Sequence, residues 1–418
     1  MTIGTSHQAA PAPTRPLVTV LTLLTIFAPI SMDIYLPALP ALTHDLRATA
    51  SAAQLTVSAC LLGLAAGQLI AGPLSDRFGR RRPLLAGVVS FVVVSLLCAR
   101  SPSIEALVAA RFVQGLAGGV GVVIAQAAGR DLYSGGRLLR YYGRLTVLGG
   151  LAAIVGPVLG GQLARVTDWR GIFLFLAGVG TLILLASLLL VRETLPAQRR
   201  VGGGMEQTGR DMRRLLTDPL FVGAVLVTGF VNAALFAYLS GATFVLQDLY
   251  GLSPQGYSYA FALNSGGFMV FGFLAARASE RWSIRGTLVA GMVMVAAGAA
   301  GLVATATADL PLPVVLVSLF LLVSGVAVAT PPATSLALAD YPDMAGTASS
   351  FLGVARFAFG GLAAPLVGLG SGITPVALVT TGGALLAAVA YAITTRSRPA
   401  SRRVLLPAAA ETSAVVAA

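Results

Sequence analysis

"GPLSDRFGRRRPLL", residues Gly72–Leu85, places one acid, Asp76, and four arginines, Arg77, Arg80, Arg81 and Arg82, between the apolar runs 54–74 and 83–99. About 20 apolar residues are needed to cross a bilayer core of about 30 Å, and both runs approach that length. A charged loop this short returns the chain into the membrane it has just left. Lipid gives the backbone no hydrogen-bond partners, so the runs must be helices, and they are too long for barrel strands of about 10 residues.

The same pattern recurs along the chain. Further apolar runs lie at 17–42, 104–128, 142–164, 171–191, 219–245, 257–277, 286–306, 312–337, 347–369 and 374–394, which makes twelve. The expected fold class is therefore an all-α membrane protein with twelve transmembrane helices. Composition agrees: 56% of the 418 residues are hydrophobic, 11% are charged, and mean hydropathy is +0.85. Soluble domains carry about 25% charged residues. Cys60 and Cys98 lie inside apolar runs, as buried thiols rather than a disulfide framework.

Every basic residue is arginine, and their placement sets the orientation. With the N-terminus in the cytoplasm, 22 arginines fall on the cytoplasmic side and four outside, Arg47, Arg100, Arg165 and Arg170, while Arg111 and Arg356 lie within spans. The positive-inside rule then predicts a multi-pass plasma-membrane protein with both termini cytoplasmic. It also accounts for the net charge of +12 without a nucleic-acid partner. The first sixteen residues carry no cleavage site after a short apolar core and are expected to be a cytoplasmic tail.

The longest polar connector divides the spans six and six. The expected organisation is an N-terminal tail 1–16, a six-helix bundle 17–195, a cytoplasmic linker 196–218, a second bundle 219–395 and a C-terminal tail 396–418. "GPLSDRFGRR" from Gly72 is echoed by "GFLAARASER" from Gly272, either as a trace of two related halves or as chance among glycine-rich segments. No metal or cofactor is expected. His7 and His44 lie outside the spans, no acid cluster occurs within them, and the chain lacks the lysine of a P-loop, which argues against an enzyme and an ATP-driven pump.

Several motifs carry a more specific reading. The loop Gly72–Leu85 turns on Gly79 and holds Asp76 among arginines. It is either a conformational latch built from Gly72, Asp76, Arg77, Gly79, Arg80 and Arg81, with Asp76 meeting an arginine or a helix N-terminus, or simply the product of the positive-inside rule. "RFVQGLAGG", Arg111–Gly119, lies in span 4. "GPVLGG", Gly156–Gly161, lies in span 5, where Gly156, Pro157, Gly160 and Gly161 supply either a hinge or a close helix contact. The order of residues in the loop resembles the cytoplasmic signature of the major facilitator superfamily, and the span 4 and span 5 motifs resemble its second motif and its antiporter motif. "SMDIYLPALP" at Ser31–Pro40, "GRDLY" at Gly129–Tyr133, "ETLP" at Glu193–Pro196, "YLSGATFV" at Tyr238–Val245, "YAFALN" at Tyr259–Asn264 and "MAGTASSFLGVARF" at Met344–Phe357 narrow the resemblance to the bicyclomycin-resistance (Bcr/CflA) group of drug:proton antiporters. The resemblance implies two six-helix halves in the major facilitator fold. It also implies export of amphipathic, bicyclomycin- or chloramphenicol-like drugs in exchange for protons by alternating access, powered by the proton gradient. The second-half loop has Ala276 where the first has Asp76, so a latch there is one-sided. A carrier for a sugar or small metabolite on the same fold is the alternative.

Asp33 is the one acid well inside a predicted span. An unpaired charge at that depth costs at least about 3 kcal/mol, so the carboxyl must be protonated, face water, or pair with Arg111 at similar depth on span 4. Removing water favours the neutral carboxyl and a nearby guanidinium favours the charged one, so a change of surroundings changes proton occupancy. Asp33 and Arg111 are the expected proton-coupling pair, or else a static pair holding spans 1 and 4 together. Arg356 has no acid at its depth in its own half; it faces the cavity, reaches Asp33, or supports helix packing. Tyr35, Gln114, Asn232, Tyr238, Phe244, Asn264 and Arg356 are the candidate drug contacts, since amphipathic pockets combine apolar walls with a few polar groups. The expected partners are a small-molecule drug, protons and the lipid bilayer, with the chain a monomer.

Overall fold

Polar residues mark the points where apolar runs become helices. In the computed structural model, which describes residues 15–133, 135–196, 213–281, 283–338, 341, 345–370 and 372–396, Thr49, Ser103, Asp168 and Ser283 each accept a hydrogen bond from the backbone N–H three residues on. These caps satisfy donors that the first turn leaves unpaired.

Twelve long helices follow among the described residues: α1 (Arg15–Asp33), α2 (Ala50–Phe78), α3 (Arg81–Ala99), α4 (Ile104–Leu132), α5 (Gly135–Val166), α6 (Trp169–Leu190), α7 (Pro219–Phe244), α8 (Pro254–Arg281), α9 (Ile284–Ala308), α10 (Leu312–Leu338), α11 (Ala345–Val367) and α12 (Thr374–Arg396). Each matches one predicted span. The predicted tails, apart from Arg15, Pro16 and Arg396, lie outside the described residues, as does most of the predicted linker.

The first span departs from expectation. Hydropathy predicts one helix over 17–42, but the α-helix stops at Asp33. A 3-10 turn, Leu36–Ala38, and a short helix, Leu39–Asp45, complete the crossing. Pro37 and Pro40 bring no N–H to the ladder, so an unbroken run of i to i−4 bonds is impossible here. Helices α2, α4 and α5 also run past their predicted ends, to Phe78, to Leu132 and back to Gly135. Once nucleated, helix bonds propagate into the aqueous layer beyond the apolar run. At Gly79 the backbone takes φ +84°, a conformation that suits glycine, and the chain turns into α3.

Glycines set the α2–α4 crossing. A Cβ on Gly63 would sit 2.0 Å from the Phe112 carbonyl oxygen, one on Gly67 2.2 Å from that of Leu116, and one on Gly115 2.1 Å from that of Cys60. Gly63 and Gly67 on α2 are four residues apart, as are Gly115 and Gly119 on α4. Where helices associate in lipid, small residues at this spacing let the backbones touch. Much of the "RFVQGLAGG" pattern is thus explained by packing.

Helices α1–α6 and α7–α12 form two groups that meet through α2 against α11 and α5 against α8. Four hydrogen bonds among the described residues cross between them. Gln54 Nε2 donates to Ser240 O at 3.5 Å, Thr243 Oγ1 to Leu36 O at 3.3 Å, Gln247 Nε2 to Pro37 O at 3.1 Å, and Gln255 Nε2 to Gly161 O at 2.8 Å. All four lie at the end of the molecule that carries Asp45. Toward the Arg80 end, a Cβ on Gly72 would meet nothing within 4 Å. The halves are therefore tied together at the Asp45 end.

Candidate functional site

The break after Asp33 brings α1, α5 and the second half together. A Cβ on Gly156 would lie 3.3 Å from the Asp33 Cβ, and one on Gly160 only 1.8 Å from the Ile34 carbonyl oxygen. A Cβ on Gly161 would meet Ser258 Oγ of α8 at 2.2 Å. The face of α5 bearing Gly156, Gly160 and Gly161 thus touches the unwound part of span 1 and the opposite half at once. Pro157 sits inside α5 between these contacts.

Asp33 itself is 8% exposed, and no ion pair within 4.0 Å joins it to Arg111. The guanidinium whose charge it feels most is Arg356, from the second half; Arg111 comes after it. Tyr238 of α7 and Tyr257 of α8 also lie within its electrostatic reach. The acid thus lies against α5 of its own half and within electrostatic reach of both halves.

Arg111 is fully buried inside the first half. Its Nη1 donates to Gln114 Oε1 at 2.5 Å and to Ser31 O at 3.5 Å, and the guanidinium lies 4.3 Å from the Tyr35 ring centroid and 5.6 Å from that of Phe173. Gln114 Nε2 donates in turn to Ser95 Oγ at 2.7 Å, and the Tyr35 hydroxyl shares a 3.0 Å hydrogen bond with Thr56. Two aromatic faces and an amide stand where a carboxylate was expected. A desolvated cation over aromatic rings gains about 2 kcal/mol, which lessens the cost of its burial. Tyr35 and Gln114, predicted as drug contacts, are taken up in this cage.

The other predicted contacts divide. Asn264 Nδ2 donates to the Tyr238 hydroxyl at 2.9 Å, and the Tyr238 ring stacks on Phe261 at 6.0 Å. Asn232 donates to Thr228 O at 2.9 Å while its Oδ1 is buried without a donor. Phe244 is half-buried at the end of α7, where five residues, Val245–Leu249, form a π-helical turn. Arg356 is partly exposed, lies 5.6 Å from the Phe357 ring centroid, and has a buried Nε–H without an acceptor.

At the other end of the molecule, the loop between α2 and α3 is held from three directions. Arg80 bonds Asp76 at 2.5 Å, Ser75 Oγ at 2.6 Å and Asp131 at 3.0 Å. The Glu193 carboxylate accepts from the backbone N–H groups of Arg80 at 2.7 Å and Arg81 at 3.3 Å, so it is Glu193, and not Asp76, that sits on the positive end of α3. Thr194 Oγ1 donates to Asp131 at 3.0 Å, and Arg81 reaches Leu188 O at 3.1 Å. Arg77 lies 5.3 Å from the Phe78 ring centroid, and Gly72 faces open space. All these contacts fall within the first half. Sequence reasoning missed Asp131 and Glu193 as members of this network; the acids in "GRDLY" and "ETLP" were the available signal.

The geometry ranks the two acids on Arg80. Asp131 has 16% of its side chain exposed and Asp76 52%, so the Asp131 pair is the better shielded from solvent. Asp131→Asn is expected to cost about 2 kcal/mol and Asp76→Asn at most about 1 kcal/mol, because exposed pairs contribute little. Thermal melting of the purified variants in detergent checks the order.

The comparisons agree with this architecture. Residues 21–365 match the Major Facilitator Superfamily. The chain is 36% identical over 354 residues to the uncharacterized MFS-type transporter YdgK of Bacillus subtilis, covering 83% of this chain and 87% of that one. It is 28% identical over 382 residues to the bicyclomycin resistance protein homolog of Haemophilus influenzae, covering 91% and 96%. Against the multidrug resistance protein MdtL of Klebsiella pneumoniae the identity is 29% over 334 residues, covering 80% and 83%. Among solved structures, the peptide transporter POT in complex with sulfate superposes with a TM-score of 0.74 at 13% identity, over 92% of this chain and 96% of that one. Twelve helices in two groups of six, a broken first span carrying the buried acid, and this match over most of the sequence lead to one assignment: the chain belongs to the major facilitator superfamily of membrane transporters and not to any class of enzyme.

Proposed function

We propose that the chain exports amphipathic drugs from the cytoplasm in exchange for protons, by alternating access, with Asp33 as the proton carrier. One observation carries this reading: the buried carboxylate stands at a helix break, unpaired within 4.0 Å, with Arg356 of the opposite half as its strongest cationic neighbour. Its surroundings must change when the halves rock, and with them its proton occupancy. The names of the bicyclomycin and multidrug resistance relatives support a drug as the cargo.

In this scheme the bundles 17–195 and 219–395 move as bodies joined by the linker 196–218. Both termini are cytoplasmic, as the distribution of arginines favours. The Asp45 end, where hydrogen bonds tie the halves together, is then external. Arg111 holds the broken span in place through Ser31 and Tyr35 and tunes the charge on Asp33. The network on Arg80 stiffens the cytoplasmic ends of the first half, and the Gly156–Gly161 face of α5 is the surface on which span 1 and α8 slide. Asn232, Tyr238, Asn264 and Arg356 contact drug. The protein works as a monomer in the plasma membrane, with the proton gradient as its energy source.

Expression in a bacterium stripped of its own pumps tests this directly. Accumulation of labelled chloramphenicol should fall, and it should recover when a protonophore collapses the gradient. A protein that raises uptake of a sugar or metabolite and leaves chloramphenicol accumulation unchanged is instead an importer.

A further inference from the structure

The last turn of α7 meets Leu36 at the Asp45 end of the molecule. At its other end, the first turns of α7 border a cavity shared with the start of α9 and the final turns of α10 and α12. The cavity holds about 600 Å³ of empty space, its open mouth included. Its cause is local: Ala224, Ala333 and Ala337 present only methyl groups there, so the four helices leave unfilled space where interiors are normally close-packed.

The lining is apolar with one cation. Leu220, Leu288 and Leu336 supply greasy wall, and Arg285, the second residue of α9, is exposed and lines the same space. Among the described residues no acid lies within 4.0 Å of Arg285. The acid at the start of α7, Asp218, is taken up elsewhere: it accepts from the Leu220 N–H at 2.8 Å and from the Tyr341 hydroxyl. Helices α9 and α12 also carry bare apolar side chains, with Val293 61% and Leu385 62% exposed, so their outer faces meet lipid. The cavity thus lies between lipid-facing helices, with a free guanidinium among its apolar walls.

The first half fills the corresponding place with its own carboxylate. There Glu193, three residues beyond α6, sits on the start of α3, and Arg81 reaches the Leu188 carbonyl of α6. After α12 the sequence 397–410 contains three arginines and no acid, so it supplies no second Glu193. We propose that this cavity binds one anionic phospholipid, its phosphate on Arg285 and an acyl chain along Leu220, Leu288 and Leu336. A guanidinium matches phosphate oxygens through paired N–H donors, and basic pockets between helices at the cytoplasmic surface suit such headgroups. A free phosphate leaves the apolar walls uncovered, and a choline headgroup brings a second cation to the arginine. The lipid comes from the cytoplasmic leaflet on the orientation read from the arginines; the site does not depend on drug exchange.

Native mass spectrometry of the full chain in detergent tests the site. Phosphatidylglycerol and phosphatidylcholine with the same acyl chains are supplied in equal amounts, and inorganic phosphate in a separate sample. The wild type should retain one phosphatidylglycerol and favour it over phosphatidylcholine by at least about fivefold, the value of one arginine beside an anionic headgroup. Arg285→Gln, at an exposed position that folding tolerates, should lose the preference, and Arg285→Lys should keep most of it. Ala224→Trp fills the cavity from a half-buried position and should abolish retention with Arg285 still present. Equal retention of the two lipids by the wild type, the wild-type preference in Arg285→Gln, or undiminished retention in Ala224→Trp overturns the site. Retention of inorganic phosphate without phosphatidylglycerol overturns the lipid as its occupant. Detergent has no leaflets, so this result stands apart from the orientation of the chain and from drug export.

Discussion

An Asp33→Asn variant is expected to lose uphill drug export while remaining folded and able to bind drug. Folding should survive because Asp33 makes no ion pair within 4.0 Å and no hydrogen bond among the described residues, and Asn fills nearly the same volume. The loss should be large. One charge crossing about 100 mV is worth about 2.3 kcal/mol, so one proton entering per neutral drug sustains about a fifty-fold drug gradient. Each unit of pH gradient multiplies that by about ten. With a side chain that cannot release a proton, the steady-state ratio in energised everted vesicles should fall to about one. Facilitated equilibration in both directions should persist at weakened drug affinity, because Asn stands in for the neutral carboxyl while the rocking halves are untouched. Accumulation at the wild-type ratio in this variant removes Asp33 from the coupling.

The second large effect belongs to α5. Gly160→Leu places a Cβ where the Ile34 carbonyl oxygen now lies 1.8 Å away, and that obstacle is backbone at the break of span 1 and cannot turn aside. Overpacking of a tight contact costs about 3 kcal/mol or more, and here the displaced segment carries Asp33. The variant should melt several degrees below the wild type and export nothing measurable. Gly149→Leu, on the same helix, is the matched control, since a Cβ there meets nothing within 4 Å. Equal melting temperature and export in the two variants contradict the assigned contact.

Both effects trace to residues that the sequence marks, although neither contact is visible in it. Hydropathy and arginine placement are local, so they give twelve spans and their division into sixes. The acid among apolar residues 17–42 stands out for the same reason. What a linear pattern lacks is the direction a side chain takes around its helix, and the break after Asp33 changes that direction for everything beyond it. Arg111 has about the depth expected for a partner of Asp33. Its guanidinium nevertheless stays among Tyr35, Phe173 and Gln114, and no ion pair within 4.0 Å joins it to Asp33. Tyr35 is close to the acid in sequence, yet two residues on from Asp33, across the break, it faces into the first half. The Arg80 network was partly legible, because Asp76 lies four residues away. Asp131 and Glu193 lie 51 and 113 residues away, and only folding brings them in.

Drug binding and proton binding at Asp33 are held here to exclude each other, and the measurement closest to that claim is the proton count on binding. Purified protein in weakly buffered detergent solution, at a pH where the wild type is partly protonated, should release up to one proton per chloramphenicol bound, read with a pH dye, and Asp33→Asn should release none. Binding without proton release in the wild type, or equal release from both proteins, contradicts the account.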